Sequence, residues 1–244
     1  MQNLSIAGGR EILAGMNCRP CISGKFIMVN GKKFYIKGVT YGTFAPDENG
    51  HQFPPPDQME RDFSLMAESG INAVRTYTVP PAFMLDLAKK SGLKLMIGLP
   101  WEQHITFLDD KERIVSIMDR VRQGVRSCQQ HEAILCFAIG NEIPSPIVRW
   151  YGPEAIQGFI RKLFQVVKEE DPQALVTYVN YPTTEYLRLD FLDFDCFNVY
   201  LETEEKLKKY LFRLHNLSGN RPLVLAEIGL DSMRNGLEKQ AEVL

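Results

Sequence analysis

The chain has 244 residues, 45% of them hydrophobic and 24% charged, with a formal net charge of −2. This is an ordinary globular composition, long enough for one barrel-sized domain, and its near-neutral balance argues against a nucleic-acid partner, which would show a basic stripe. No apolar run approaches the roughly 20 residues of a transmembrane helix, and MQNLSIAGGREILAGMNCRP at the N-terminus lacks the basic start and sustained apolar core of a secretory signal, so a cytoplasmic setting is expected.

Residues 1–24 carry no clear periodicity and read as a leader, with the folded domain expected over 25–244. Cys18 and Cys21 in this leader form a CxxC, but no second CxxC or His pair accompanies it, so a metal site is not expected. Lys25–Val29 and Lys33–Ile36 flank Asn30-Gly31, a two-residue turn that predicts a β-hairpin. Its second arm runs into Phe34–Thr40, read as the first strand of the main sheet, and a loop rich in Pro, Gly and Asp follows from Gly42 to Pro56. Asp57–Ser69 reads as a helix with Met59, Phe63, Leu65 and Met66 on its apolar side, and Gly70 stops it.

Ile71–Tyr77 is a second strand, carrying Arg75, and Pro80 and Pro81 open a helix over Ala82–Ser91. Strand Leu93–Leu99 leads into Pro100-Trp101-Glu102-Gln103-His104, then a helix over Asp109–Gln130 and a strand over Ala133–Ile139. That strand ends abruptly in Gly140-Asn141-Glu142, after which Pro144 and Pro146 forbid its regular continuation. Pro153–Glu170 is helical, Ala174–Val179 a strand leading to Asn180-Tyr181-Pro182, Thr184–Leu189 a short helix, and Asp195–Tyr200 a strand. Helix Glu204–Leu217, strand Leu223–Glu227 and the start of a helix over Gly236–Leu244 complete the chain.

The strands are too apolar to face water on either side, so the alternation predicts a parallel sheet covered by helices. Seven βα units in order point to a (β/α)8 TIM barrel whose eighth strand is missing from this chain, and a fragment of a longer protein is the expectation. An open doubly wound sheet is the alternative, weakened by the lack of a Gly-rich loop after any strand.

Two of these strands end in glutamates, Glu142 and Glu227. Carboxylates at the C-terminal lips of two barrel strands are what glycosidic cleavage needs, one protonating the leaving oxygen and one attacking the anomeric carbon or activating water. That chemistry requires no metal or other cofactor, and no metal-ligand spacing is present.

The segments NGKKFYIKGVTYG (30–42), GINAVRTYTVPP (70–81), FAIGNEIP (137–144) and PLVLAEIG (222–229) resemble the clan A glycoside hydrolases, most closely the catalytic barrel of family 2, with family 5 next. The resemblance implies a retaining O-glycosidase acting on β-linked oligo- or polysaccharides. In that pattern Glu142 matches the general acid/base, Asn141 the amide that binds the sugar 2-hydroxyl, and Glu227 the nucleophile. Arg75 matches the arginine that keeps the nucleophile ionised, and Tyr200 the group that hydrogen-bonds it. Trp101, His104, Tyr41 and Tyr181, also at strand ends, are candidate substrate contacts because aromatic faces stack on sugars. Two other functions remain open: transglycosylation, and a non-catalytic carbohydrate-binding or scaffold domain of a larger glycan synthase fused to a glycosyltransferase.

Overall fold

The computed structural model describes residues 19–46, 48, 52–128 and 130–243. Cys18, half of the CxxC, lies outside them. A small antiparallel sheet comes first, formed by β1 (Cys21–Ser23), β2 (Phe26–Val29) and β3 (Lys32–Lys33). Asn30 and Gly31 both take positive φ (51° and 73°), the two-residue turn expected from Asn-Gly. The second arm is shorter than expected, and β1 adds a strand from within the span read as leader.

The main sheet alternates with helices. Its elements are β4 (Gly38–Thr40), α1 (Pro56–Glu68), β5 (Ala73–Thr76), α2 (Ala82–Lys90), β6 (Lys94–Gly98), α3 (Lys111–Ser127), β7 (Ile134–Asn141), α4 (Ser145–Tyr151) and α5 (Pro153–Glu170). A 3-10 turn at Pro182–Thr184 separates β8 (Val176–Asn180) from β9 (Asp195–Val199), and α6 (Glu204–Leu217), β10 (Leu223–Ile228), α7 (Ser232–Asn235) and α8 (Leu237–Val243) follow. Gly236, at φ 80°, divides the last helical stretch in two. No described helix is long and apolar enough to cross a membrane.

The helices form where the pattern of apolar residues and the capping groups agree. α1 opens on Pro56 and buries Met59 and Phe63, one turn apart. The side chain of Asp110 caps α3 by accepting from Arg113 N at 3.0 Å, and Ile117, Val121 and Val125 recur on its buried side. Pro144 and Pro146 end the preceding strand as expected, yet they also start α4, because Pro146 falls in its first turn, where no N–H is needed.

β4 to β10 pair side by side in chain order, all parallel, in a seven-stranded sheet. This is a TIM barrel short of one strand, a curled sheet whose two ends, β4 and β10, have no described strand between them. Side chains alternate along the strands, with a break in β7 at Leu135-Cys136, where its register against β6 shifts. Val74, Leu95, Ile97, Phe137 and Val176 pack outward into the cluster under the helices. Ala73, Met96, Leu135, Ala138 and Val179 point into the barrel, where Ile27 of the small sheet joins them. Gly98 is required where it stands, since a Cβ there would lie 2.6 Å from the Tyr77 carbonyl oxygen.

Candidate active site

The strand register breaks at the two positions where chemistry was expected. The β7–β8 pairing shifts between Ala138 and Asn141, and the β9–β10 pairing shifts between Leu225 and Glu227. Such bulges re-aim side chains at barrel rims. β7 runs to Asn141, two residues beyond the expected end. Glu142 then takes a left-handed backbone at φ 52°, a costly conformation for a residue with a Cβ. Its N–H donates to the Val179 carbonyl at 2.9 Å, which holds that turn against β8.

Three donors converge on Glu227. Arg75 Nη1 donates to Oε1 at 2.5 Å, the Tyr77 hydroxyl donates to Oε1 at 2.9 Å, and the Tyr200 hydroxyl donates to Oε2 at 2.5 Å. Burial alone would raise the carboxyl's pKa. Donation from Tyr200, the Arg75 charge and hydrogen bond, and donation from Tyr77 outweigh it and hold the group below its ordinary value. The Tyr200 phenol moves the other way, raised by its own burial and by donating to that carboxylate.

Arg75 also organises the opposite lip. Its Nη2 donates to Asn141 Oδ1 at 2.8 Å. Asn198 Nδ2 donates to Glu142 Oε1 at 2.9 Å and lies 3.3 Å from Asn141 Oδ1. Gln103 Oε1 accepts from Asn141 N at 2.8 Å. Hydrogen bonds therefore run without a gap from Glu227 through Arg75, Asn141 and Asn198 to Glu142. Arg75, Tyr77, Tyr200 and Glu227 line a 440 Å³ cavity on the open side of the barrel. Arg75 and Tyr77 also line an adjoining cleft of 380 Å³ that reaches Asn141, Trp101, Gln103 and His104.

Of the residues singled out in the sequence, Glu142, Glu227, Asn141, Arg75 and Tyr200 come together. His104 is exposed on the adjoining cleft. Trp101 borders the same cleft but is only 7% exposed, its ring meeting Phe107 and Phe159 edge-on at 4.9 and 5.4 Å and its Nε1 donating to the Ile139 carbonyl at 2.9 Å. Its faces are taken, so it braces β7 rather than offering a stacking surface. Tyr41 is likewise core, wedged between Phe44 and Phe63 with its hydroxyl donating to Asp62 Oδ2 at 2.6 Å. The Tyr181 hydroxyl accepts from Ser145 N at 3.0 Å and secures the start of α4. Trp101 and Tyr41 are thus buried among other rings, while Tyr181 is half-buried.

Tyr77, Asn198 and Gln103 belong to the site without having been singled out. Two of them carried a usable signal: Tyr77 lies two residues beyond Arg75, and Asn198 two residues before Tyr200, so each shares its neighbour's side of a strand. Gln103 sits in a loop whose path the sequence does not show.

With this geometry in view, the likeness to known proteins is specific. A β-galactosidase of Pectobacterium atrosepticum is 28% identical over 163 residues, covering 64% of this chain and 14% of its own length. A 1,3-beta-glucanosyltransferase of Saccharomyces cerevisiae is 26% identical over 159 residues, covering 60% of this chain and 34% of its own length. The solved structure of a β-glucuronidase from Ruminococcus gnavus in complex with uronic deoxynojirimycin superposes with a TM-score of 0.77 at 20% identity, over 91% of this chain and 42% of that one. The chain thus spans about a third or less of the length of the curated relatives it matches. Residues 21–243 match the family model described as the TIM barrel domain of glycosyl hydrolases family 2, and the chain belongs to that family.

Proposed function

We propose that this domain cleaves β-linked glycosides with retention of configuration, Glu227 serving as nucleophile and Glu142 as general acid/base. One observation carries this reading: the Glu227 carboxylate is held by Arg75, Tyr77 and Tyr200 and kept below its ordinary pKa, as an attacking group must be. Glu142, across the site just past the end of β7, has no arginine among its hydrogen-bond partners in the described residues; its Oε1 takes an amide N–H. Two carboxylates in such different surroundings divide the acid and nucleophile roles between them.

In the first half-reaction a Glu227 oxygen bonds to the anomeric carbon as the glycosidic C–O bond breaks, and Glu142 passes its proton to the departing oxygen. In the second, Glu142 takes a proton from water, which attacks the anomeric carbon and releases Glu227. Asn141 stands beside Glu142 with its carbonyl oxygen fixed by Arg75, leaving its amide to meet a sugar hydroxyl. The substrate class is a β-linked oligo- or polysaccharide, by analogy with relatives named as β-galactosidase, β-glucuronidase and 1,3-beta-glucanosyltransferase. That last name favours a second reading, in which a sugar hydroxyl replaces water as acceptor; product analysis at high sugar concentration separates the two.

The test is labelling with a panel of 2-deoxy-2-fluoro β-glycosides followed by peptide mass spectrometry. A stable adduct on Glu227 supports the proposal and identifies the reactive sugar. An adduct on another residue removes Glu227 from the nucleophile role, and none on folded protein leaves a glycan-binding domain.

A further inference from the structure

Asn198 is 1% exposed, and its Oδ1 is buried with no hydrogen-bond partner among the described residues. An unsatisfied buried amide oxygen is destabilising, so the orientation of this side chain needs a cause. The cause lies next to it. Asn141 Oδ1 accepts from Arg75 Nη2 at 2.8 Å, which fixes that atom as an acceptor. Asn198 Nδ2 faces this oxygen at 3.3 Å and Glu142 Oε1 at 2.9 Å. Turning the Asn198 amide over would set its oxygen against two acceptors. Arg75 therefore orients Asn141, Asn141 orients Asn198, and Asn198 presents a donor to one oxygen of Glu142.

We infer that Asn198 is a positioning residue that decides which oxygen of Glu142 carries the transferable proton. The inference rests on the acid/base role proposed for Glu142. Because Oε1 accepts from Asn198, the proton resides on Oε2. From Oε2 it passes to the glycosidic oxygen as the C–O bond breaks and Glu227 bonds the anomeric carbon; in the return step Oε2 takes a proton from the attacking water. Atoms and charge balance within the two glutamates, the glycoside and water. The same relay couples the lips, since the guanidinium holding Glu227 also fixes the amide chain that orients Glu142.

The test compares first-turnover rates on two β-glycosides of the same sugar, one with a 2,4-dinitrophenyl and one with a methyl leaving group. The former departs without protonation and the latter does not. In Asn198→Asp, which keeps the shape but loses the donor, the methyl glycoside should slow by about 30-fold, within the range of general-acid contributions, while the dinitrophenyl glycoside stays within about 3-fold. If Asn198→Asp does not fold, Asn198→Ser, too short to reach Glu142, takes its place. Equal losses on both substrates, or no loss, would overturn the inference. Glu142→Gln is the control for the underlying reading: a methyl glycoside turned over as fast as by the unaltered chain would sink the acid/base role itself. A folded chain that turns over neither substrate would overturn the inference together with the reading it rests on.

Discussion

Arg75, on β5 one strand in from one edge of the open sheet, and Glu227, on β10 at the other edge, join through a salt bridge of 2.5 Å with side chains 7% and 15% exposed. Removing one partner of a buried pair leaves the other uncompensated. Arg75→Met should therefore lower the unfolding free energy at neutral pH by about 3 kcal/mol, measured by urea denaturation. Adding Glu227→Gln should restore part of that loss. A double variant no more stable than Arg75→Met would show that the pair does not couple.

The sign of the Glu227 shift fixes a pH dependence. Its folded pKa lies below the ordinary carboxylate value, so ionisation of Glu227 stabilises the fold above the unfolded pKa, and this contribution fades as pH falls through the lower folded value. The stability gap between the unaltered chain and Glu227→Gln should thus be constant near neutrality and shrink in acid. Thermal unfolding of both proteins across that range reads it.

Tyr200 donates to Glu227, and this hydrogen bond is the largest of the influences that lower the carboxyl's pKa. In Tyr200→Phe the Glu227 pKa should rise, moving the acid limb of the kcat/KM profile to higher pH. An acid limb that stays in place while kcat falls would mean that Tyr200 contacts the substrate and does not tune the nucleophile.

Trp101 provides a check on packing. Its Nε1 bond to the Ile139 carbonyl and its edge contacts with Phe107 and Phe159 brace the strand that ends in Asn141. Trp101→Phe should lower the Tm while leaving KM within about 3-fold, since a lost neutral hydrogen bond contributes roughly 1 kcal/mol. A large rise in KM at unchanged Tm would return Trp101 to the role of sugar platform.

Gly98→Ala tests the tight approach of β6 to β5. The added methyl would meet the Tyr77 and Thr76 carbonyls at 2.6 and 2.8 Å, so one strand must shift. A destabilisation of about 1–3 kcal/mol is expected, with loss of activity exceeding what stability explains, because Tyr77 moves with the backbone. Calorimetry alongside kinetics separates the two effects.

Much of the architecture was legible because a parallel barrel writes itself into sequence. The strands of the main sheet are mostly short apolar runs, and the longer helices carry a buried side bounded by Pro, Gly or capping residues. Helix α5, Pro153–Glu170, was bounded to the residue. The small residues at the sheet's start were harder. β4 covers only Gly38–Thr40 of the expected Phe34–Thr40, since Phe34 and Ile36 turn into the interior ahead of the strand. At the site, Glu142, Glu227 and Arg75 were readable because charges ending or interrupting apolar strands stand out. Asn198 and Tyr77 did not stand out, as an Asn or a Tyr in a strand is common and only the partners it meets in space show its use. The burial of Trp101 and Tyr41 was not legible either: a large ring beside a cleft and a large ring beneath its floor look the same in sequence.

The spatial order of β4 to β10 repeats their order along the chain. Each new strand therefore finds its template already laid down, and sheet growth can keep pace with synthesis from the N-terminus. The Arg75–Glu227 contact spans 152 positions, so it is among the last that such growth can complete. We expect pulse-labelled hydrogen exchange during refolding to protect β5 to β7 before β10, with simultaneous protection counting against the idea. On that view the pair works as a completion signal: an incompletely grown sheet cannot bring Glu227, the proposed nucleophile, under the control of Arg75, and so the proposed chemistry waits for assembly.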